Sequence, residues 1–203
     1  MFYHIQLNCI PRSGSHLLMS HILPRGYVEL PKNISENSIL NNYKGLSLIH
    51  NHVGEGIDLS RFQDDRKVVN VILKRNYFMS AISLLVSEYT NEYRYYSEKK
   101  FDEIVIPPER VEEIISGFIE TFRMWKKFKH ERIAKTVILD YGDLVNNRWR
   151  SIYDRLNVAH EPIHPGLDGL RTKIDIVRKS PNRPSQIVSN YEELKKRYKH
   201  FLT

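Results

Sequence analysis

A chain of 203 residues can bury a real core in one domain but is short for two. With 41% hydrophobic and 27% charged residues, and only nine Gly and nine Pro, it is neither collagen-like nor a low-complexity disordered chain. The single cysteine, Cys9, excludes an internal disulfide and a cysteine-based zinc site, while 31 Lys and Arg against 24 Asp and Glu give a net +7 that asks for an anionic partner.

The first predicted element is a strand over 3–10, where YHIQLNCI alternates and then meets Pro11, which cannot extend a central strand. After the segment PRSGSH, Leu17, Leu18, Ile22 and Leu23 fall at helical spacing, with Ser13 or Ser15 expected to cap the helix. Further strands are predicted at 45–51 and 68–74, the latter (VVNVILK) apolar enough to be buried on both faces, as in a parallel sheet. Asn76 is the expected N-cap of a helix carrying Phe78, Ala81, Ile82, Leu85, Val86 and Tyr89 on one face. A longer helix over 109–129 places Val111, Ile114, Ile115, Phe118, Phe122 and Trp125 on a single stripe, and a fourth strand follows at 135–140. The least regular stretches are 91–107 and 157–189.

Strands alternating with helices predict a three-layer α/β/α fold with a central parallel sheet, opened by a strand, a phosphate loop and a helix, in a single domain over 1–203. No apolar run approaches the roughly 20 residues of a membrane span, and the N-terminus lacks the features of a secretory signal. The lone cysteine adds a reducing environment, so the expected location is the cytoplasm.

A strand that runs into a short Ser/Gly turn and then a helix presents backbone N–H groups and a positive helix end to an anion. Residues 11–16 are suited to this: Gly14 permits close backbone approach, Ser13 and Ser15 offer hydroxyl donors, and Arg12 brings a permanent positive charge. The same geometry also suits a plain turn whose serines only cap. The pattern G-x-x-x-x-G-K-[ST] is absent, which weighs against ATP or GTP hydrolysis.

PRSGS before a Leu-rich helix resembles the 5′-phosphosulfate loop of sulfotransferases that use 3′-phosphoadenosine 5′-phosphosulfate (PAPS), usually P-[KR]-[ST]-G-[ST]-T. The stretch VVNVILKRNYFMSAISLLVS resembles that family's second signature, a buried strand ending in Arg-Asn, then a helix with Ser eight residues after the Arg. Arg75, Asn76 and Ser83 reproduce the spacing, and Arg75 and Ser83 are positioned to converge on one phosphate, the 3′-phosphate in the family. TVILDYGDLV is similar to a family strand ending in Tyr-Glu-Asp-Leu, with Gly142 in place of the Glu. The segment from Thr172 to Leu194 resembles the basic loop that closes over the nucleotide before a final helix. There Arg178 and Lys179 are the implied 3′-phosphate ligands, with Lys173 and Arg183 as further candidates. The implied nucleotide ligands are therefore Arg12, Ser13, Gly14, Ser15, His16, Arg75, Ser83, Arg178 and Lys179, with no metal.

Sulfuryl transfer needs an acceptor oxygen in line with the leaving phosphate, charge stabilisation and a base for the acceptor proton. Histidine, with an ordinary pKa of about 6.5, suits the base at neutral pH. In a large branch of the family the catalytic His follows the second strand in a Lys-Thr-His pattern, a little over twenty residues before the 3′-phosphate Arg. His52 precedes Arg75 by 23 residues. The resemblance thus implies His52 as base and His50, in place of the Lys, as a group orienting the sulfonate, with Arg12 supplying charge. Period-two geometry puts His50 and His52 on one strand face, so both line the cleft or both are packed. Carboxylate alternatives are Glu55, Asp58 and Glu88. His16 departs from the family's Thr and would make nucleotide affinity depend on pH.

For the acceptor, Tyr89, Tyr93, Tyr95 and Tyr96, with Arg94, Lys99 and Lys100, suit a sugar, a ring alcohol or an acidic group. Two other classes compete: a P-loop kinase-like phosphotransferase, and a non-catalytic basic module for nucleic acid. The charge distribution argues against the latter. From Arg171 onward there are nine Lys and Arg against three Asp and Glu, whereas residues 1–170 are nearly balanced at 22 against 21.

Overall fold

The computed structural model describes residues 4–30, 46–52, 68–91, 101–131, 135–161 and 184–202. Its elements, in chain order, are β1 (His4–Cys9), α1 (Ser15–Ile22), a 3-10 turn (Leu23–Arg25), β2 (Val28–Leu30), β3 (Ser47–His52), β4 (Val68–Lys74), α2 (Tyr77–Thr90) and α3 (Pro108–Glu131). Then come β5 (Lys135–Asp140), α4 (Tyr141–Val145), α5 (Trp149–Leu156), α6 (Pro184–Ile187), α7 (Tyr191–Arg197) and a last 3-10 turn (Lys199–Phe201).

The described strands form one five-stranded sheet in the order β2-β3-β1-β4-β5. Every pairing is parallel, with Cys9 beside His52 on one side of β1 and beside Leu73 on the other. The α/β expectation is met, and the four predicted strands are present within two residues of their expected limits. β2 was not foreseen: it is only three residues long, and Val28 on it is exposed.

Alternate residues of β4 separate two buried clusters. Val69, Val71 and Leu73 join one with Ile5, Leu7, Leu18, Ile22, Ile152 and Leu156, drawn from β1, α1 and α5. Ile72 joins the other, with Phe78, Ile82 and Leu85 of α2, Val111, Ile115 and Phe118 of α3, and Leu194 of α7. Burial on both faces matches the apolar run of β4. β1 is buried throughout as well, although its alternate residues are His4, Gln6 and Asn8. The stripe predicted for the long helix is the buried face of α3, with Ile114 at its margin.

β1 lies between β3 and β4, and the chain leaves it first toward β2 and β3 and only later crosses to β4 and β5. Loops on either side of β1 therefore diverge at its carboxyl end, the position where open parallel sheets bind ligands.

Candidate functional site

Four segments meet this carboxyl edge: the loop after β1, the end of β3 at His52, Arg75 after β4 and Tyr141 after β5. The β1 loop folds back on itself, Ser13 donating its backbone N–H to the Ile10 carbonyl at 3.3 Å. Arg12 and Gly14 both take positive φ, at 63° and 93°. Alternation with left-handed residues turns successive N–H groups to one side, the geometry of an anion nest.

The expected serine cap is corrected here. Gly14 is the N-cap of α1, its carbonyl accepting from Leu17 and Leu18 at 3.0 and 3.2 Å, and no side chain caps the helix. Ser15 is already the first helical residue, and Ser13 is wholly buried, its hydroxyl without a hydrogen-bond partner among the described residues. Glycine tolerates the left-handed backbone that the turn requires. A helix start carries N–H groups without intrahelical partners, and that of α1 opens at this loop.

Arg12 joins this loop to α2. Its Nε donates to Ser83 Oγ at 3.1 Å, across 71 positions of sequence. Ser83 is buried two turns into α2, and its place along the sheet is set where the helix begins, since the Asn76 side chain accepts from the Met79 N–H at 2.8 Å. Arg75, one residue before that cap, donates from its guanidinium to the Arg12 carbonyl. Arg12, Arg75 and Ser83, predicted from two separate motifs, are brought together.

His50 lies on the opposite side of the loop's root. It is buried, its Nε2 is 3.2 Å from Cys9 Sγ, and its ring meets His16 edge-on with centroids 5.9 Å apart. His16 is exposed in the first turn of α1. His52 closes β3 in register with Cys9, while its side chain lies outside the described residues. Of the carboxylate candidates, Glu88 is exposed and pairs with Arg110 at 3.6 Å, whereas Glu55 and Asp58 lie outside the described residues. Arg178, Lys179, Lys173 and Arg183 also lie outside them, as do Tyr93, Arg94, Tyr95, Tyr96, Lys99 and Lys100. Tyr89 is half exposed.

One residue of the site was given no role from sequence. Tyr141 opens α4, and the Arg75 guanidinium stands 4.2 Å from its ring centroid. The same ring flanks Gly14 so closely that a Cβ there would lie 2.5 Å from Tyr141 Cδ2. Its signals in the sequence are an aromatic immediately after a strand's carboxyl end and its place at the Tyr of TVILDYGDLV, for which the resemblance carried no role. The neighbouring Gly142, where the resembled motif has Glu, faces open space.

Two guanidinium groups, a buried hydroxyl, loop N–H groups and a helix start are groups whose chemistry suits an oxyanion. Among the described residues no group of three or more His, Cys, Asp or Glu could hold a metal ion. No described helix is long and apolar enough to cross a membrane. No family model matches the chain. No curated protein matches it either.

Proposed function

We propose that the chain is a cytoplasmic PAPS-dependent sulfotransferase of three-layer α/β/α build, acting on a hydroxyl or amine of a small-molecule or glycan acceptor. One observation carries this: Arg12 of the segment resembling the 5′-phosphosulfate loop bonds Ser83 of the segment resembling the 3′-phosphate motif, with Arg75 on the Arg12 carbonyl. Sequence separation alone gives no reason for these residues to meet. The two buried clusters sharing alternate residues of β4 support the layered build.

The residues present suit such a donor. The buried Ser13 hydroxyl and the loop N–H groups match phosphate oxygens, and Gly14 lets them approach. Bound PAPS supplies a sulfuryl group activated by its phosphate leaving group. The acceptor oxygen bonds to sulfur as the sulfur–oxygen bond to the 5′-phosphate breaks, and the acceptor proton passes to a base, for which His52 is our choice. Arg12 holds the charge that gathers on the departing phosphate, while Arg75 and Ser83 fix the 3′-phosphate. Each such charge-assisted contact contributes about 1.5–3 kcal/mol. His50, turned to Cys9, takes a supporting place next to the loop rather than one on the sulfonate.

Adenosine 3′,5′-bisphosphate is expected to raise the melting temperature, by about 2.7 kcal/mol of added stability at a hundredfold excess over Kd. Arg12→Ala and Arg75→Ala should each abolish the rise. No shift at millimolar bisphosphate would sink the proposal. Protection by magnesium ATP in its place points to a phosphotransferase, and steeply salt-dependent binding of a polynucleotide points to a nucleic-acid module.

A further inference from the structure

Tyr141 touches both halves of the anion site without belonging to either motif that defines it. β5 is separated from β1 by β4, yet the ring at its end crosses that width to reach the loop. Its edge lies against Gly14, where an added Cβ would come within 2.5 Å of Cδ2 and 2.6 Å of Cε2. Its face carries the Arg75 guanidinium at 4.2 Å, within cation–π range. Arg75 in turn donates to the Arg12 carbonyl, and Arg12 donates to Ser83.

These contacts close a ring. The loop is held at Gly14 by the edge of Tyr141 and at Arg12 by Arg75, and Arg75 is itself held by the face of Tyr141. Without that face Arg75 loses its cation–π contact, and with it one restraint on the direction of its guanidinium. Only an aromatic side chain supplies a flat edge for the loop backbone and a π face for the cation at once.

We infer that Tyr141 is the positioning residue of this site, setting the shape of the loop at Gly14 and the direction of Arg75 through opposite parts of one ring. It acts through those two residues and needs no contact with a ligand. The phenol oxygen has no part in either contact, so phenylalanine should serve as well, whereas leucine keeps apolar volume but offers neither edge nor face. Its consequence for nucleotide affinity rests on the function proposed above; the arrangement itself does not.

The test uses the full chain with Tyr141→Phe and Tyr141→Leu, checked for folding by circular dichroism. In the ligand-free protein, the Arg75 Nε–H resonance should carry a ring-current shift, retained in Tyr141→Phe and lost in Tyr141→Leu. Loop amides 13–15 should exchange faster only in the leucine variant. An Arg75 resonance and loop exchange unmoved by leucine overturn the inference, whatever ligand the protein binds. With adenosine 3′,5′-bisphosphate, Tyr141→Leu should bind at least about tenfold more weakly and Tyr141→Phe within about twofold of the parent. Failure of the parent to bind counts against the proposed function alone, because the ligand-free measurements still decide the role of Tyr141. Equal affinities across a binding parent and both variants overturn the positioning role.

Discussion

Gly14 shows how closely this site depends on individual atoms. Its φ of 93° lies where an L side chain is strained, and the space beside it is filled by the Tyr141 ring. Replacing it with alanine should cost about 1–2 kcal/mol for the left-handed backbone. Moving the ring or the loop to make room should add about 1–3 kcal/mol. Urea denaturation of Gly14→Ala should therefore show a lower midpoint at unchanged slope, and the bisphosphate binding proposed above should be lost as the loop shifts. A midpoint equal to the parent's would mean that the ring yields freely. Arg25 makes the contrasting case of a cation used purely for structure. Its guanidinium donates to the carbonyls of His21, Ala159 and His160 while lying 3.9 Å over the Tyr153 ring, so it pins the 3-10 turn to the end of α5. Arg12, Arg25 and Arg75 look alike in the sequence. Only folding places Arg12 and Arg75 together at the candidate site and Arg25 against the end of α5.

Elements whose signal is local were legible, and those stabilised by distant partners were not. β4 announces itself by an apolar run interrupted only by Asn70 before Lys74, α2 by its Asn76 cap and α3 by its stripe, because each property resides in nearby residues. β1 was legible as a strand, but its alternation of polar and apolar residues suggests one wet face, whereas neighbouring strands and helices bury both. Likewise α5 has a buried face of Ile152, Tyr153 and Leu156, yet it is anchored by His21 stacked on Trp149 at 3.4 Å and by Arg25, contacts no window of sequence displays. For the candidate site, the order and spacing of the two motifs singled out Arg12, Arg75 and Ser83, which the fold brings together, while Tyr141 depends on where β5 falls in the sheet. The C-terminal elements show the same dependence. Asn190 accepts from the Ile106 N–H at 3.1 Å and donates to the Ile106 carbonyl at 2.8 Å, and Ile104 exchanges bonds with Ile187 and Ser189 at 2.7 and 3.0 Å. This clasp ties α6 and α7 to the chain entering α3, and Ile106 is wholly buried. Asn190→Ala leaves both backbone groups of Ile106 unpaired and should cost about 1–3 kcal/mol. Thermal unfolding is the check, and a melting temperature within error of the parent's would show that the clasp is replaced by other contacts.

At the scale of the whole molecule, burial of tyrosines couples the core to alkaline pH. Burial raises the pKa of Tyr27 from 10.0 to about 12. Tyr77, Tyr191 and Tyr198 are raised by the same dominant cause, opposed at Tyr77 by Arg123 and at Tyr198 by Arg197. Tyr27 belongs to the cluster with α1 and α5, and the other three to the cluster with α2 and α3, so both halves of the interior are involved. A phenol neutral in the folded state and ionised in the unfolded one makes the unfolded chain release protons first. Stability is then full below pH 10, falls as the unfolded phenol ionises, and reaches its reduced level once the folded pKa is passed. For Tyr27 alone, a shift of this size corresponds to about 2–3 kcal/mol lost between about pH 10 and 12. Lysines titrate over the same range, so the parent's pH curve by itself cannot assign the loss. Tyr27→Phe removes one ionisable group and leaves the lysines in place. Guanidinium unfolding at pH 9 and again near pH 12 should show the variant losing about 2 kcal/mol less than the parent between the two conditions. Equal losses would mean that Tyr27 ionises in the folded protein as readily as in water, and that the interior around it admits solvent.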